Sequence, residues 1–257
     1  MAVEFQTDWI MDLCHCAIGE IHVWRAALDL DPAMLRRLAM TLSSDEKQRA
    51  SNFYFNRDRE RFIAGRGFLR DILSRYTNSR PADLQFVYND YGKPEFREPG
   101  RVDAIRFNLS HSNGTAVFAV SREREIGIDI ETLRDDLSIL EVAASFFSRA
   151  EVLSLNALPA QLRCQAFYRC WVRKEAYVKA RGMGLSVPLD SFDVSLNPGS
   201  SAALLASTEP SDVLNWGLKD LVVADGYIGA VAAEGNDWTV RQYDWDAARA
   251  PRTEEAL

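Results

Sequence analysis

Apolar and polar residues alternate over Ile126-Gly127-Ile128-Asp129-Ile130-Glu131. The pattern predicts a strand with Ile128 and Ile130 on one face and Asp129 and Glu131 on the other. Two longer stretches, Arg59 to Arg75 and Gln165 to Arg181, read as helices. Upstream of each lies a helix start, Ser43-Ser44-Asp45-Glu46 and Ser148-Arg149-Ala150-Glu151, with glutamate three residues after serine as a capping box requires. Downstream of each, a turn and a strand are predicted to begin at Pro81 and at Pro188, both Pro-x-Asp. Asn113-Gly114 and Asp225-Gly226 are hairpin-turn formers ahead of the strand patterns Thr115 to Val120 and Tyr227 to Ala232.

These features recur in one order. His22-Val23-Trp24 is echoed by Ile128-Asp129-Ile130, and the capping boxes, prolines and hairpin turns follow at offsets between 105 and 112 residues. A repeat of this kind predicts an α+β fold, a pseudo-dimer of two similar halves, each a small antiparallel sheet packed on a long helix. The halves are expected at residues 1–121 and 122–257, joined near Ser121 to Glu125. Their interface is a natural cleft, and clefts between domains are preferred ligand sites.

Composition narrows the function. The chain has 257 residues, 47% of them apolar, enough to bury a core without staples. A net charge of -7 repels polyanions unless basic groups are locally concentrated, which argues against general nucleic-acid binding. Cysteines 14, 16, 164 and 170 have neither zinc-site nor CxxC spacing and read as free thiols. The first residues carry three acids before Cys14 and no basic region of a leader, and nothing approaches the roughly 20 apolar residues of a membrane span. A soluble, cytoplasmic protein is expected, with the polar tail from Trp238 to Leu257 disordered at its end.

Candidate chemistry starts with the acidic strand. Asp129 and Glu131 point together and repel unless a cation or basic group neutralises them; the plain alternative is a polar face meeting water. On the second helix, Trp171, Glu175 and Lys179 lie at i, i+4 and i+8 and form one stripe, which is either a cleft edge or an exposed ion pair. A third segment, Phe107-Asn108-Leu109-Ser110-His111-Ser112, ends an apolar run just before a turn, which leaves His111 as a structural histidine or a phosphate contact.

Together and in this order, the three segments resemble the phosphopantetheinyl transferase superfamily, specifically its larger, two-halved surfactin-synthetase type. That family is marked by F-N-x-S-H, G-x-D-x-E and W-x-x-K-E-x-x-x-K, found here at Phe107 to His111, Gly127 to Glu131 and Trp171 to Lys179. The likeness spans roughly Ser43 to Val194. The resemblance implies transfer of the 4'-phosphopantetheine arm of coenzyme A to a serine of an acyl or peptidyl carrier protein. It implies magnesium, with manganese as the alternative, on Asp129, Glu131 and Glu175, and Lys179 on the coenzyme A pyrophosphate. Ser110 and His111 would touch the nucleotide phosphates, and Tyr91-Gly92-Lys93-Pro94 the adenine side. Arg49 would reach the 3'-phosphate, with Lys47 as its competitor. Ser112 receives no role.

The chemistry suits these residues. Magnesium takes oxygen ligands from one or two carboxylates, phosphates and water. Lys179, with Lys174 as a second candidate, can stabilise charge developing on the phosphates. The carrier serine needs a base during attack, Glu175 or a metal-held water. A monomer is expected, docking its carrier through a local patch within Ser145 to Leu155. Two rival readings are a metal-dependent hydrolase of nucleotide pyrophosphates and a non-enzymatic nucleotide-binding module.

Overall fold

A computed structural model of the chain describes residues 14–97, 105–134 and 138–245. The elements run β1 (Glu20–Ala27), α1 (Pro32–Ala39), α2 (Ser44–Ser51), α3 (Asn56–Thr77), β2 (Phe86–Tyr88), β3 (Pro94–Phe96), β4 (Ile105–Ser112), β5 (Thr115–Arg122) and β6 (Ile126–Thr132). There follow α4 (Ile139–Phe146), α5 (Arg149–Ala157), α6 (Ala160–Arg181), β7 (Phe192–Val194), β8 (Leu204–Ser207), α7 (Asp212–Asn215), β9 (Trp216–Leu221), β10 (Tyr227–Glu234) and β11 (Thr239–Asp244). The fold is mixed α+β.

Two main sheets carry it, one in the order β11-β1-β5-β4 and one in the order β6-β10-β9. Strand alternation sorts their faces. Ile21 and Val23 of β1 pack against Ile126, Ile128 and Ile130 of β6 in a core between the sheets. Trp24 and Ala26 turn the other way, onto Phe68, Leu69 and Ile72 of α3. On the far side, Val172, Ala176 and Ala180 of α6 cover Ala230 and Ala232 of β10. The layers are therefore helix, sheet, sheet, helix. Burying each large apolar side chain in such a core contributes about 1.5 to 3 kcal/mol.

Both capping boxes form, at Ser43 with Glu46 and at Ser148 with Glu151. The long helices start earlier than their apolar patterns, at Asn56 and Ala160, because Phe55 and Pro159 provide extended entries. Asn113 (φ 41°) and Gly114 (φ 83°) make the tight turn between β4 and β5 in the left-handed conformation that such hairpins need. At the two Pro-x-Asp sites the chain makes 3-10 turns, Pro81–Asp83 and Leu189–Ser191, and strands begin only at Phe86 and Phe192.

One departure from the purely antiparallel expectation lies in the first sheet. β11 returns from the C-terminal part of the chain and pairs parallel with β1. Its ends are pinned by buried Trp238 and by Trp245, whose indole N–H donates to Asp71 at 2.8 Å. Strand structure thus runs through the start of the polar tail, whose end, 246–257, lies outside the described residues, as do the residues before Cys14. Among the described residues no helix is long and apolar enough to cross a membrane. Cys16 and Cys170 are buried free thiols.

Candidate active site

Gly127 lets β6 lie against α6. A Cβ there would stand 2.1 Å from the Ala176 carbonyl oxygen and 2.2 Å from the Ala180 nitrogen, backbone atoms that cannot move aside. The close approach sets the polar face of β6 beside the α6 stripe. Trp171, Glu175 and Lys179 are the partly open positions of that stretch, separated by runs of three buried residues.

The acidic side is compact. Lys179 Nζ lies 2.6 Å from Asp129 Oδ1 and 3.1 Å from Ser110 Oγ, and the Ser110 hydroxyl donates to the same Asp129 oxygen at 2.8 Å. Asp129 is buried, and its other oxygen, Oδ2, has no partner. The Ser112 hydroxyl donates to Glu131 Oε2 at 2.9 Å. Burial, and then the charge of Asp129, holds the Glu131 and Glu175 carboxyls above their ordinary range; Glu131 also adds to the shift at Glu175, while Lys179 opposes it. Asp129 thus acts on both glutamates, one on its own strand and one on α6.

These groups suit a hard divalent cation by their donor chemistry: three oxygen donors short of positive charge, and one buried carboxylate oxygen without a partner. As they stand, no three His, Cys, Asp or Glu side chains among the described residues are close enough together to hold a metal ion. The positive charge beside Asp129 is the ammonium of Lys179.

A cavity of about 390 Å³ opens next to this cluster. Arg49, Arg61, Arg66, Lys93 and Lys179 line it, and among the described residues no carboxylate does. The local concentration of basic groups that an anionic ligand would require in a chain of charge -7 is therefore present. Phe53, Phe62, Tyr88 and Tyr91 supply aromatic walls, and His111 lies on the rim. Burial, followed by the charges of Lys179 and Arg61, pushes the His111 imidazole below its ordinary range. Arg61 is gripped by Asp29 at 2.6 and 2.7 Å, and Arg66 by Glu46 at 2.9 Å, so two of the guanidinium groups are held in place.

The structure brings most of the expected residues to this place. Arg49, Tyr91, Gly92, Lys93, Pro94, His111 and Lys179 line the cavity, and Lys47, the competitor of Arg49, does not. Ser110 faces the acidic cluster through Asp129. Lys93 sits at the cavity edge, but its ammonium is committed to the carbonyls of Ile126 and Ala180, at 3.1 and 3.5 Å, and to Glu125 at 3.3 Å. It clamps the loop after β2 to the start of β6 and the end of α6.

Lys174 requires a correction. Expected as a second phosphate-facing cation, it is 0% exposed, and its Nζ is bound to Glu151 at 2.8 Å and to the carbonyls of Leu189 and Phe192. Its helical position points it into the core under α6, one residue before the cleft-edge stripe. Arg70 does the same for Glu46 beneath α3, at 2.7 Å. Sequence reading passed over Arg61, Phe62 and Arg66, although their spacing places them with Gly65 on one face of the first long helix.

The family described as the 4'-phosphopantetheinyl transferase superfamily matches residues 125–232, and a second family, 4'-phosphopantetheinyl transferase, N-terminal, matches residues 31–123. The chain is 41% identical over 219 residues to the 4'-phosphopantetheinyl transferase HetI of Nostoc sp., covering 85% of this chain and 90% of that one. It is 33% identical over 202 residues to the 4'-phosphopantetheinyl transferase Sfp of Bacillus subtilis, covering 79% and 86%. Among solved structures, a holo-(acyl-carrier-protein) synthase from Bacillus anthracis in complex with CoA (3',5'-ADP) is similar over 44% of this chain and 96% of that one, at 22% identity and a TM-score of 0.35.

Proposed function

The chain belongs to the 4'-phosphopantetheinyl transferase superfamily, and from that premise we propose that it moves the phosphopantetheine arm of coenzyme A onto a serine of an acyl or peptidyl carrier protein. One observation carries the reading. Lys179 both lines the basic cavity and bonds the buried carboxylate of Asp129, so a phosphate site and an acidic site share one side chain.

Coenzyme A fits the cavity by its chemistry. Arg49, Arg61 and Arg66 meet its phosphates, His111 joins them at the rim, and Tyr91 with the neighbouring aromatic rings faces the adenine. Lys179 stabilises the charge that gathers on the pyrophosphate as its bridging P–O bond breaks. The serine oxygen forms the new bond to phosphorus, and 3',5'-ADP leaves. Glu175 takes the serine proton.

Asp129, Glu131 and Glu175 would hold a divalent cation, magnesium or manganese. When bound, such an ion supplies Lewis-acid polarisation of the phosphoryl group. The carrier docks near Phe146 and Leu153, exposed apolar side chains within Ser145 to Leu155, with Phe146 in edge contact with Trp171 at 5.9 Å.

We read the architecture as two related halves, 1–121 and 122–257, arranged as a pseudo-dimer. The repeated capping boxes, long helices and hairpin turns support this, as does the meeting of the two family matches between residues 123 and 125. The enzyme works as a cytoplasmic monomer without nucleic acid.

Mass spectrometry of an apo carrier protein incubated with coenzyme A, with and without magnesium, tests the proposal. The carrier gains one phosphopantetheine per reactive serine only when magnesium is present. Release of 3',5'-ADP with no mass added to the carrier would mean a hydrolase. Loading by Asp129→Ala at the wild-type rate would remove the cation assignment.

A further inference from the structure

β4 presents two faces to different parts of the site. Leu109 and His111 line the cavity, and Asn108 also reaches its wall. Asn108, Ser110 and Ser112 alternate with them, and each bonds β6. Asn108 Oδ1 accepts from the Ile128 N–H at 2.9 Å, Ser110 donates to Asp129, and Ser112 donates to Glu131. β4 and β6 belong to different sheets, so this row of polar side chains spans the seam between them. Its register puts one hydroxyl on each of the two strand carboxylates.

The Ser112 contact has a direction. The Thr132 N–H donates to Ser112 Oγ at 3.2 Å, which occupies the serine oxygen as an acceptor. The single Ser112 hydrogen is then left for the Glu131 carboxylate at 2.9 Å, a stronger acceptor than the Thr132 hydroxyl at 3.2 Å. A hydrogen bond of this kind fixes the rotamer of the carboxylate.

We infer that Ser112 is a positioning residue of the transfer reaction: aimed by the backbone of Thr132, its hydroxyl holds one oxygen of Glu131 and leaves the other for a divalent cation. The inference rests on the reading of Asp129, Glu131 and Glu175 as the cation's ligands. Ser112 is not among the residues that line the cavity; it acts through Glu131.

The test uses the full chain with coenzyme A present and follows free Mn²⁺ by electron paramagnetic resonance, beside steady-state loading of an apo carrier. Ser112→Ala weakens Mn²⁺ binding by about tenfold, the lower end of what loss of a group supporting a metal ligand costs. The KM for coenzyme A stays within about twofold, since the cavity is untouched, and raised Mn²⁺ restores kcat. Ser112→Thr, which keeps the hydroxyl, returns Mn²⁺ affinity toward wild type. In a Glu131→Gln background the alanine substitution has no further effect on Mn²⁺ affinity.

Unchanged Mn²⁺ affinity in Ser112→Ala, or a loss confined to the KM for coenzyme A, overturns the inference. If Ser112→Ala does not fold, Ser112→Cys replaces it: near-isosteric and a weak donor, it is expected to lose Mn²⁺ affinity, and wild-type binding by that variant counts against the role. Glu131→Gln separates the two readings. If that variant binds Mn²⁺ as wild type does, the cation assignment fails; if it binds weakly while Ser112→Ala binds normally, only the role of Ser112 fails.

Discussion

Lys179 Nζ lies 2.6 Å from Asp129 Oδ1, an ion pair that ties α6 to the acidic strand β6. The ammonium stands beside the Asp129 charge that holds the Glu131 and Glu175 carboxyls above their ordinary range. In the proposed reaction it must exchange Asp129 for the pyrophosphate, which couples cation binding to coenzyme A binding. Lys179→Met is therefore expected to tighten Mn²⁺ binding to the protein free of coenzyme A while lowering carrier loading by about 100-fold or more. Mn²⁺ titration without coenzyme A checks the first part; unchanged affinity would show that the lysine does not compete for the site.

Glu175 should leave a signature in the stability profile. Its folded-state pKa is raised above the ordinary 4.5, chiefly by burial and then by Asp129. Below pH 4.5 the carboxyl is protonated whether the chain is folded or unfolded, and Glu175→Gln should then match wild type. As pH rises from there through the folded-state pKa, the unfolded chain ionises first and wild type loses stability relative to the variant. Cation-free melts from pH 4 to pH 8 should show Glu175→Gln pulling ahead with rising pH, and parallel curves would contradict the shift.

Lys174 is expected to behave as a structural residue. Its substitution by alanine leaves Glu151 buried without its cation, and breaking a buried pair costs about 3 to 5 kcal/mol. Denaturant titration should register that loss. The folded fraction should keep the wild-type KM for coenzyme A, because Lys174 does not line the cavity.

Gly127→Ala tests the contact between β6 and α6. The added methyl group would meet backbone atoms at 2.1 and 2.2 Å, so strand or helix must shift. Overpacking of this kind costs about 1 to 3 kcal/mol and often more. Because the shift separates Asp129 from Glu175 and Lys179, carrier loading should fall even at temperatures where the variant remains folded. A variant that loads carrier at the wild-type rate would show that this contact does not set the site.

Much of the site was legible because its determinants are local. Period two put Asp129 and Glu131 on one strand face, and helical spacing put Trp171, Glu175 and Lys179 on one stripe. Lys174 marks where local reading ends: its neighbour Glu175 opens to the cleft, and one residue of helix rotation decides whether a lysine meets phosphate or a buried glutamate. Arg61 and Arg66 were missed for a related reason, since Asp29 and Glu46, which hold them, are far away in sequence.

By itself the sequence determined the acidic strand, the two long helices, the capping boxes of α2 and α5 and the hairpin turns, because those follow from backbone geometry and side-chain periodicity. Tertiary structure decided which faces meet: the return of β11 to β1, the passage of β6 over α6 at Gly127, the Lys179–Asp129 pair and the Asn108, Ser110 and Ser112 row across the seam. Such contacts join residues far apart in the chain, and their free energy depends on burial and charge that exist only once the layers have packed.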